Sequence, residues 1–180
     1  MDFSFSEEQR LLRDNVRKLM EKHAPPEEVR RLDRERAYPE ALYRAWIEAG
    51  LFGLPFPEAY GGLGRDLIDM VIVAEEIART SADLVMAYSG NMFCGLNILR
   101  QASEEQKRYW LPKLINGEIK FSISMSESDA GSDVGAMRTL AVRDGNEWVI
   151  NGHKLWASMA GAKDNVINLY VKTNPSAHYR

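Results

Sequence analysis

The 180-residue sequence has one cysteine, Cys94, and three histidines that stand far apart. A single cysteine excludes an internal disulfide and is typical of a reducing compartment, so we predict a cytoplasmic location. Histidines this scattered have no spacing typical of a zinc site, and we predict no bound metal. Small domains stabilised by disulfides or by zinc are therefore excluded.

Basic excess and long apolar runs are also missing. The formal net charge is −3 at pH 7 and the sequence pI is near 5.7, which argues against nucleic acid as a partner. No apolar run approaches the length of a membrane span, and the acidic opening at 1–8 lacks the apolar stretch of a secretory signal. With 45% hydrophobic and 27% charged residues, the composition is that of an ordinary globular protein.

Helix signals fill the first two thirds of the chain. Ser6 with Gln9 and Ser103 with Gln106 match the capping box, in which two side chains satisfy amide groups at a helix start. Pro112 should kink or split the last helix, because proline cannot donate the internal hydrogen bond. Helices are predicted at 7–24, 27–36, 39–49, 66–79, 84–99 and 104–115. The highly charged second segment has a solvated linker as its alternative.

Gly90 and Gly95 lie inside the predicted helix at 84–99. Each glycine weakens a helix by about 1 kcal/mol relative to alanine, so its presence needs a reason. Two explanations stay open: close packing against neighbouring helices, or room for a ligand beside this helix.

After residue 118 the periodicity changes from helical to alternating. Asp144-Gly145 and Asn151-Gly152 are dipeptides typical of β-hairpin turns. Strands are predicted at Lys120–Ser126, Arg138–Arg143, Glu147–Ile150, His153–Ala157 and Val166–Lys172. We therefore predict an α+β protein, with an all-α domain at 1–118 and an antiparallel β-domain at 119–180. The β-domain looks incomplete, since its last strand has no closing element, and we expect further chain or a partner to cover that edge.

The segment 121–134 joins an alternating strand to a loop of small and acidic residues. Serines alternate with apolar residues from Phe121 to Ser126, so a row of hydroxyls should line one face of the strand. The loop that follows, 127–134, offers backbone N–H groups that suit an anionic or heteroaromatic ligand, with a plain turn as the alternative. It is neither a P-loop nor a Rossmann fingerprint, because the glycine spacing differs and no Gly-Lys-Ser/Thr follows.

Three stretches follow one another in a distinctive order. The first is Phe-Ser-Glu-Glu-Gln-Arg-Leu-Leu-Arg-Asp at 5–14, and the second runs from Gly-Leu-Phe-Gly-Leu-Pro to Gly-Gly-Leu-Gly at 50–64. The third combines Ser-Glu at 126–127, Ala-Gly-Ser-Asp-Val at 130–134 and Ile-Asn-Gly-His-Lys-Leu-Trp at 150–156. In this order and spacing they resemble the N-terminal half of an acyl-CoA dehydrogenase, and the resemblance covers essentially the whole chain.

The resemblance implies a helical N-terminal domain, a middle β-domain and a C-terminal helical bundle, of which this chain matches the first and about half of the second. It implies FAD as cofactor and α,β-dehydrogenation of an acyl-CoA thioester in fatty acid metabolism, with hydride transfer to flavin N5 and proton transfer to a glutamate. It also implies an electron-transfer flavoprotein or similar acceptor and a homo-oligomer. The alternatives are an acyl-CoA oxidase, a flavin monooxygenase of the same superfamily, or a non-catalytic fragment or interaction module.

The resemblance carries specific contacts to this sequence. Ile123 begins the strand that touches the flavin in the family, and Met125 and Ser126 would reach the pyrimidine side of the ring. Gly131 and Ser132 match the loop near the FAD pyrophosphate. Ser132 also matches a position that contacts the CoA portion of the substrate.

Further along, Trp156 matches the family's tryptophan beside the isoalloxazine ring, and Ser158 matches a hydroxyl position near flavin N5 and O4. The helix that contains 92–94 lines the acyl pocket in relatives. Without the resemblance, Trp156 on a strand is interpreted as a core residue and Ser158 as an exposed one.

The sequence departs from the family pattern at Ser128-Asp129, where relatives usually have Pro-Gly. Asp129 adds a negative charge near the implied pyrophosphate site, which is unfavourable unless the side chain faces solvent or meets a cation. The family's catalytic glutamate lies in or near the C-terminal bundle, and no residue here matches its motif. Glu127 belongs to the flavin loop, so we assign no catalytic residue in this chain.

Overall fold

The computed structural model describes residues 4–174. The chain divides into two compact units, Met1–Lys120 and Phe121–Arg180. The first unit is helical and the second contains most of the β-structure, as the predicted α+β class requires.

Six α-helices build the described part of the first unit, residues 4–120. They are α1 Glu7–His23, α2 Pro26–Glu35, α3 Glu40–Glu48, α4 Leu67–Thr80, α5 Ala82–Gln101 and α6 Glu104–Ile115. Short 3-10 turns at Leu51–Gly53 and Glu58–Tyr60 lie between α3 and α4. The charged segment after the first helix is thus helical, and Pro112 does not split α6. The carbonyl that Pro112 leaves without a donor belongs to the exposed Arg108, where water can satisfy it.

The predicted capping boxes are confirmed. The Ser6 hydroxyl accepts from the Gln9 amide while the Gln9 side chain accepts from the Ser6 amide, and Ser103 and Gln106 repeat this exchange at α6. Both boxes satisfy amide groups that a helix start leaves without internal partners.

An aromatic cluster forms the centre of the helical unit. Trp46 and Phe52 are fully buried, and Tyr43 and Tyr88 are almost so. The ring centroids of Tyr43 and Phe52 lie 4.7 Å apart, and those of Phe52 and Tyr88 lie 5.7 Å apart. Burial of such large rings supplies much of the hydrophobic stabilisation of this unit.

Gly95 on α5 shows why this buried helix contains a glycine. A Cβ atom at Gly95 would lie 2.4 Å from the ring tip of Phe56 and 3.2 Å from a methyl group of Leu114. Close packing, and not room for a ligand, therefore explains Gly95.

Up to residue 174, the second unit contains two small pairs of strands. The strands are β1 Lys120–Ser124, β2 Leu140–Asp144, β3 Glu147–Asn151 and β4 Asn165–Leu169. β1 pairs with β4, and β2 pairs antiparallel with β3, with Asp144 opposite Glu147. The Asp144-Gly145 turn signal is confirmed, since Gly145 opens this two-residue loop with φ of 57°.

The strand predicted at His153–Ala157 does not form. Residues 152–157 have no regular secondary structure, and the Asn151-Gly152 signal marks no hairpin. Gly152 has φ of 157° and packs so tightly on Thr139 that a Cβ atom would lie 2.6 Å from the Thr139 Cα. β3 therefore ends at Asn151, directly before this close contact. Residues 153–157 form no strand despite their alternating pattern.

No helix in residues 4–174 is long and apolar enough to cross a membrane. Within the same residues, no three side chains of His, Cys, Asp or Glu converge as metal ligands would.

Candidate functional site

Trp156 lies in the irregular segment after β3, where its side chain is 86% exposed. Its backbone has φ of 61°, in the left-handed region that costs a non-glycine residue about 1 kcal/mol. The interpretation of Trp156 as a core residue on a strand is therefore wrong. A large aromatic side chain held in solvent by a strained backbone points to a ligand-binding role.

Hydrogen bonds hold the chain on both sides of Trp156. The Leu155 amide donates to the Ser126 carbonyl at 2.9 Å. The Ser122 hydroxyl donates to the Ser158 carbonyl at 2.8 Å. The segment that contains Trp156 is thus joined to β1 and to the residues that directly follow it.

The serines of β1 do not form an open row of donors. Ser122 and Ser124 are buried, and the Ser122 hydroxyl already has a partner within the chain. Both faces of β1 are covered, so the hydroxyl groups of Ser122 and Ser124 are not open to a ligand as expected. Three of the implied contacts with flavin are half-buried residues at the end of β1 and just after it: Ile123, Met125 and Ser126.

Glu127 follows these residues and has a full set of donors. Its carboxylate accepts from the Arg138 amide at 2.6 Å, the Thr139 amide at 3.0 Å and the Lys154 ammonium at 2.8 Å. The Thr139 hydroxyl donates to the same carboxylate. The side chains of Glu127 and Lys154 are only 7% and 9% exposed.

These donors fix the charge of Glu127. Burial alone raises the pKa of a carboxyl group, but the hydrogen bonds from Lys154, Thr139 and the Arg138 amide outweigh it and lower the pKa of Glu127 to about 2. A carboxylate with so low a pKa and so many donors is a poor proton acceptor at neutral pH.

The loop after Glu127 is exposed except at Ala130, which is buried. Glu127 and Ala130 exchange two backbone hydrogen bonds, at 2.9 and 3.3 Å, which leave 131–134 facing solvent. A Cβ atom at Gly131 would meet no other atom within 4 Å, so the space beside its backbone is open. Ser132 is likewise exposed.

Arg138 forms an ion pair with Asp129. Its guanidinium lies 3.2 Å from the Asp129 carboxylate, and the two side chains are 79% and 57% exposed. Asp129 thus both faces solvent and meets a cation, which offsets the charge that the sequence adds to this loop.

The sequence places Lys154 within a family motif without indicating its role, and no sequence pattern distinguishes Thr139 or Arg138. All three contact Glu127 or Asp129 from positions 9 to 27 residues away in the chain, and no local periodicity reports such contacts. From sequence alone, a lysine beside apolar residues is interpreted as an exposed residue of a strand. Only the contact with Glu127 shows that the Lys154 side chain is buried.

In the helical unit, Met92 and Cys94 are buried in the core. Phe93 between them is 59% exposed on α5. Of the three, only Phe93 presents its side chain to solvent, where a ligand could contact it.

Family models match both units. The acyl-CoA dehydrogenase N-terminal domain matches residues 6–118, and the acyl-CoA dehydrogenase middle domain matches residues 122–180. A helical unit followed by a partial β-unit is the arrangement of that fold. The chain belongs to the acyl-CoA dehydrogenase family.

Individual relatives agree with the family models. The chain is 36% identical over 176 residues to the mitochondrial isovaleryl-CoA dehydrogenase of Pongo abelii, with 96% of this chain and 41% of that protein covered. It is similar to the structure of a glutaryl-coenzyme A dehydrogenase in complex with glutaryl-CoA, with a TM-score of 0.91, 37% identity, and 99% of this chain and 46% of that chain covered. A glutaryl-CoA dehydrogenase from Mycobacterium smegmatis in complex with FADH2 gives a TM-score of 0.85 and 26% identity over 94% of this chain and 44% of that chain. The chain therefore spans less than half the length of these relatives.

Proposed function

We propose that this chain contributes the flavin-holding half-site of an FAD-dependent acyl-CoA dehydrogenase. The observation that carries the proposal is the exposed, left-handed Trp156, which is joined through its neighbours to the residues after β1. A related glutaryl-CoA dehydrogenase with FADH2 bound supports the choice of cofactor. Bound FAD would supply the acceptor for the hydride that leaves the β-carbon of the acyl-CoA thioester.

The described residues fit this cofactor. Trp156 would pack beside the isoalloxazine ring, and the half-buried Met125 and Ser126 would contact its pyrimidine side. The open backbone at Gly131, next to Ser132, suits close approach of a pyrophosphate, since a side chain at 131 would occupy that space. We infer that Ile123 and Ser158 complete the flavin contacts.

None of the residues proposed to hold the flavin can accept the α-proton of the acyl-CoA, so another group is needed. Glu127 is committed to Lys154, Thr139 and Arg138, and its pKa near 2 prevents it from accepting an α-proton at neutral pH. We therefore assign Glu127 to the support of the flavin loop. The proposed proton acceptor is a glutamate outside this chain, as the family resemblance implies.

For the substrate, we infer an acyl-CoA thioester whose CoA portion contacts Ser132. The names of two relatives, an isovaleryl-CoA and a glutaryl-CoA dehydrogenase, favour a short acyl group. A place in fatty acid metabolism, a homo-oligomeric state and an electron-transfer flavoprotein or similar acceptor are proposed from family membership. A cytoplasmic location is proposed because the sequence has a single cysteine, Cys94, and so cannot form an internal disulfide.

Visible absorption of the purified chain tests the proposal. After incubation with FAD and removal of free FAD by gel filtration, we expect a bound flavin spectrum that isovaleryl-CoA or glutaryl-CoA perturbs and CoA alone perturbs less. Trp156→Ala should weaken FAD binding, whereas Trp148→Ala, which removes another half-exposed tryptophan from β3, should not. A colourless chain that takes up no FAD would contradict the proposal and favour an interaction module.

A further inference from the structure

Lys154 lies two residues before Trp156, and its side chain is almost completely buried. Its ammonium donates to the Met125 carbonyl at 3.0 Å and to the Glu127 carboxylate at 2.8 Å. The lysine side chain is 9% exposed and the glutamate side chain 7%. One cation thus connects the segment before Trp156 to the residues that follow β1.

Glu127, the partner of Lys154, is itself fixed by further hydrogen bonds. Glu127 accepts from the amides of Arg138 and Thr139, at the approach to β2. Gly152 packs directly against Thr139 on the side where a Cβ atom would clash. The residues from 152 to 155 are therefore held at Thr139, at Glu127 and, through the Leu155 amide, at Ser126.

A conformation with positive φ at a non-glycine residue persists only when its surroundings fix it. Trp156 is exposed, so packing of its own side chain does little to hold it. The hydrogen bonds of Lys154, Leu155 and Ser158 therefore determine the position of the Trp156 indole. Of these hydrogen bonds, only those of Lys154 come from a charged and largely buried donor. Charge-assisted hydrogen bonds are stronger than those between neutral groups.

We propose that Lys154 is a positioning residue: its ammonium sets the place of Trp156 relative to Met125 and Ser126. This proposal rests on the proposed function where it concerns the flavin, because Trp156, Met125 and Ser126 are the proposed contacts of the ring. The part that concerns chain conformation stands without FAD. Arginine cannot replace Lys154 fully, because its planar guanidinium is larger than a compact ammonium and the Lys154 side chain is only 9% exposed.

Amide hydrogen exchange tests the conformational part in the 180-residue chain without cofactor. The reporter is the Leu155 amide, which donates to Ser126, and the reference is the Ala141 amide, which donates to Lys172. In Lys154→Met we expect exchange at Leu155 to rise by about tenfold or more, with little change at Ala141. Lys154→Arg should restore part of the protection.

Removing the lysine alone leaves the Glu127 carboxylate buried without its cation, which can unfold the unit. The double variant Lys154→Met/Glu127→Gln removes both charges and keeps the volumes similar. Lys107→Met, which breaks a lysine–glutamate pair in the helical unit whose glutamate is 63% exposed, is the matched control. The control should leave the Leu155 amide unchanged.

Two exchange results overturn the proposal: unchanged protection at Leu155 in the double variant, or an equal loss at Leu155 and Ala141. The second result would make Lys154 a stabilising residue only. The flavin part is tested by FAD titration, where the double variant should bind FAD about tenfold more weakly than the wild type. Unchanged affinity would overturn that part. If the wild-type chain binds no FAD, the proposed function fails, and hydrogen exchange alone decides the role of Lys154.

Discussion

Gly152 and Gly131 are two glycines of the β-unit with opposite surroundings. A Cβ atom at Gly152 would lie 2.3 Å from the Thr139 hydroxyl, whereas one at Gly131 would meet nothing within 4 Å. The first glycine is therefore required by the fold, and the second leaves space that a ligand can occupy. Sequence alone does not separate them, because it does not report which atoms lie opposite each glycine in the fold.

Gly152→Ala should lower the free energy of unfolding by about 2 kcal/mol or more, because overpacking adds to strain at φ of 157°. Gly131→Ala should change it by less than about 0.5 kcal/mol and weaken FAD binding instead. Urea unfolding followed by tryptophan fluorescence measures both variants. Equal stability of the Gly152 variant and the wild type would contradict the tight packing on Thr139.

At the scale of elements, the helices and four of the five predicted strands were predictable from the sequence, whereas the segment after β3 was not. Capping residues such as Ser6 and Ser103 act within four positions, so the sequence reports them directly. The segment 153–157 has the right alternation for a strand, but three distant contacts govern it: Gly152 on Thr139, Lys154 on Glu127 and Leu155 on Ser126. The proposed flavin contacts rest on the family resemblance, whereas the hydrogen bonds of Lys154 are visible only in the structure.

The α1–α4 interface contains a bidentate ion pair. Arg17 donates to both carboxylate oxygens of Glu76 at 2.9 and 2.7 Å, and Glu76 is 5% exposed. Glu76→Gln should lower the free energy of unfolding by about 1.5–3 kcal/mol, as expected for a charge-assisted pair at a buried site. Urea unfolding followed by circular dichroism measures the loss. Glu35→Gln, which breaks an exposed pair with Arg31, should change it by less than about 0.5 kcal/mol, and equal losses would contradict the importance of burial.

For the whole molecule, buried carboxylates predict sensitivity to acid. The hydrogen bond from Arg17 lowers the pKa of Glu76, and the donors around Glu127 lower its pKa to about 2 despite burial. A depressed pKa in the folded state contributes stability that is complete above the unfolded pKa, about 4.3, and is lost as pH falls through the folded pKa. Stability should therefore decline between about pH 5 and pH 2.

Thermal unfolding at a series of pH values measures this decline. Glu127→Gln should be less stable than the wild type at pH 7, and its stability should fall less steeply on acidification, because one coupled carboxylate is gone. Parallel pH profiles for the two proteins would show that Glu127 does not contribute.

The most direct measurement is a tryptophan fluorescence titration with FAD in three forms of the chain: wild type, Trp156→Phe and Trp148→Phe. A flavin ring beside Trp156 should quench the wild-type and Trp148→Phe emission and leave a much smaller change in Trp156→Phe, which retains Trp46, Trp110 and Trp148. Equal quenching in Trp156→Phe and in the wild type would place any bound flavin elsewhere and contradict the proposed half-site.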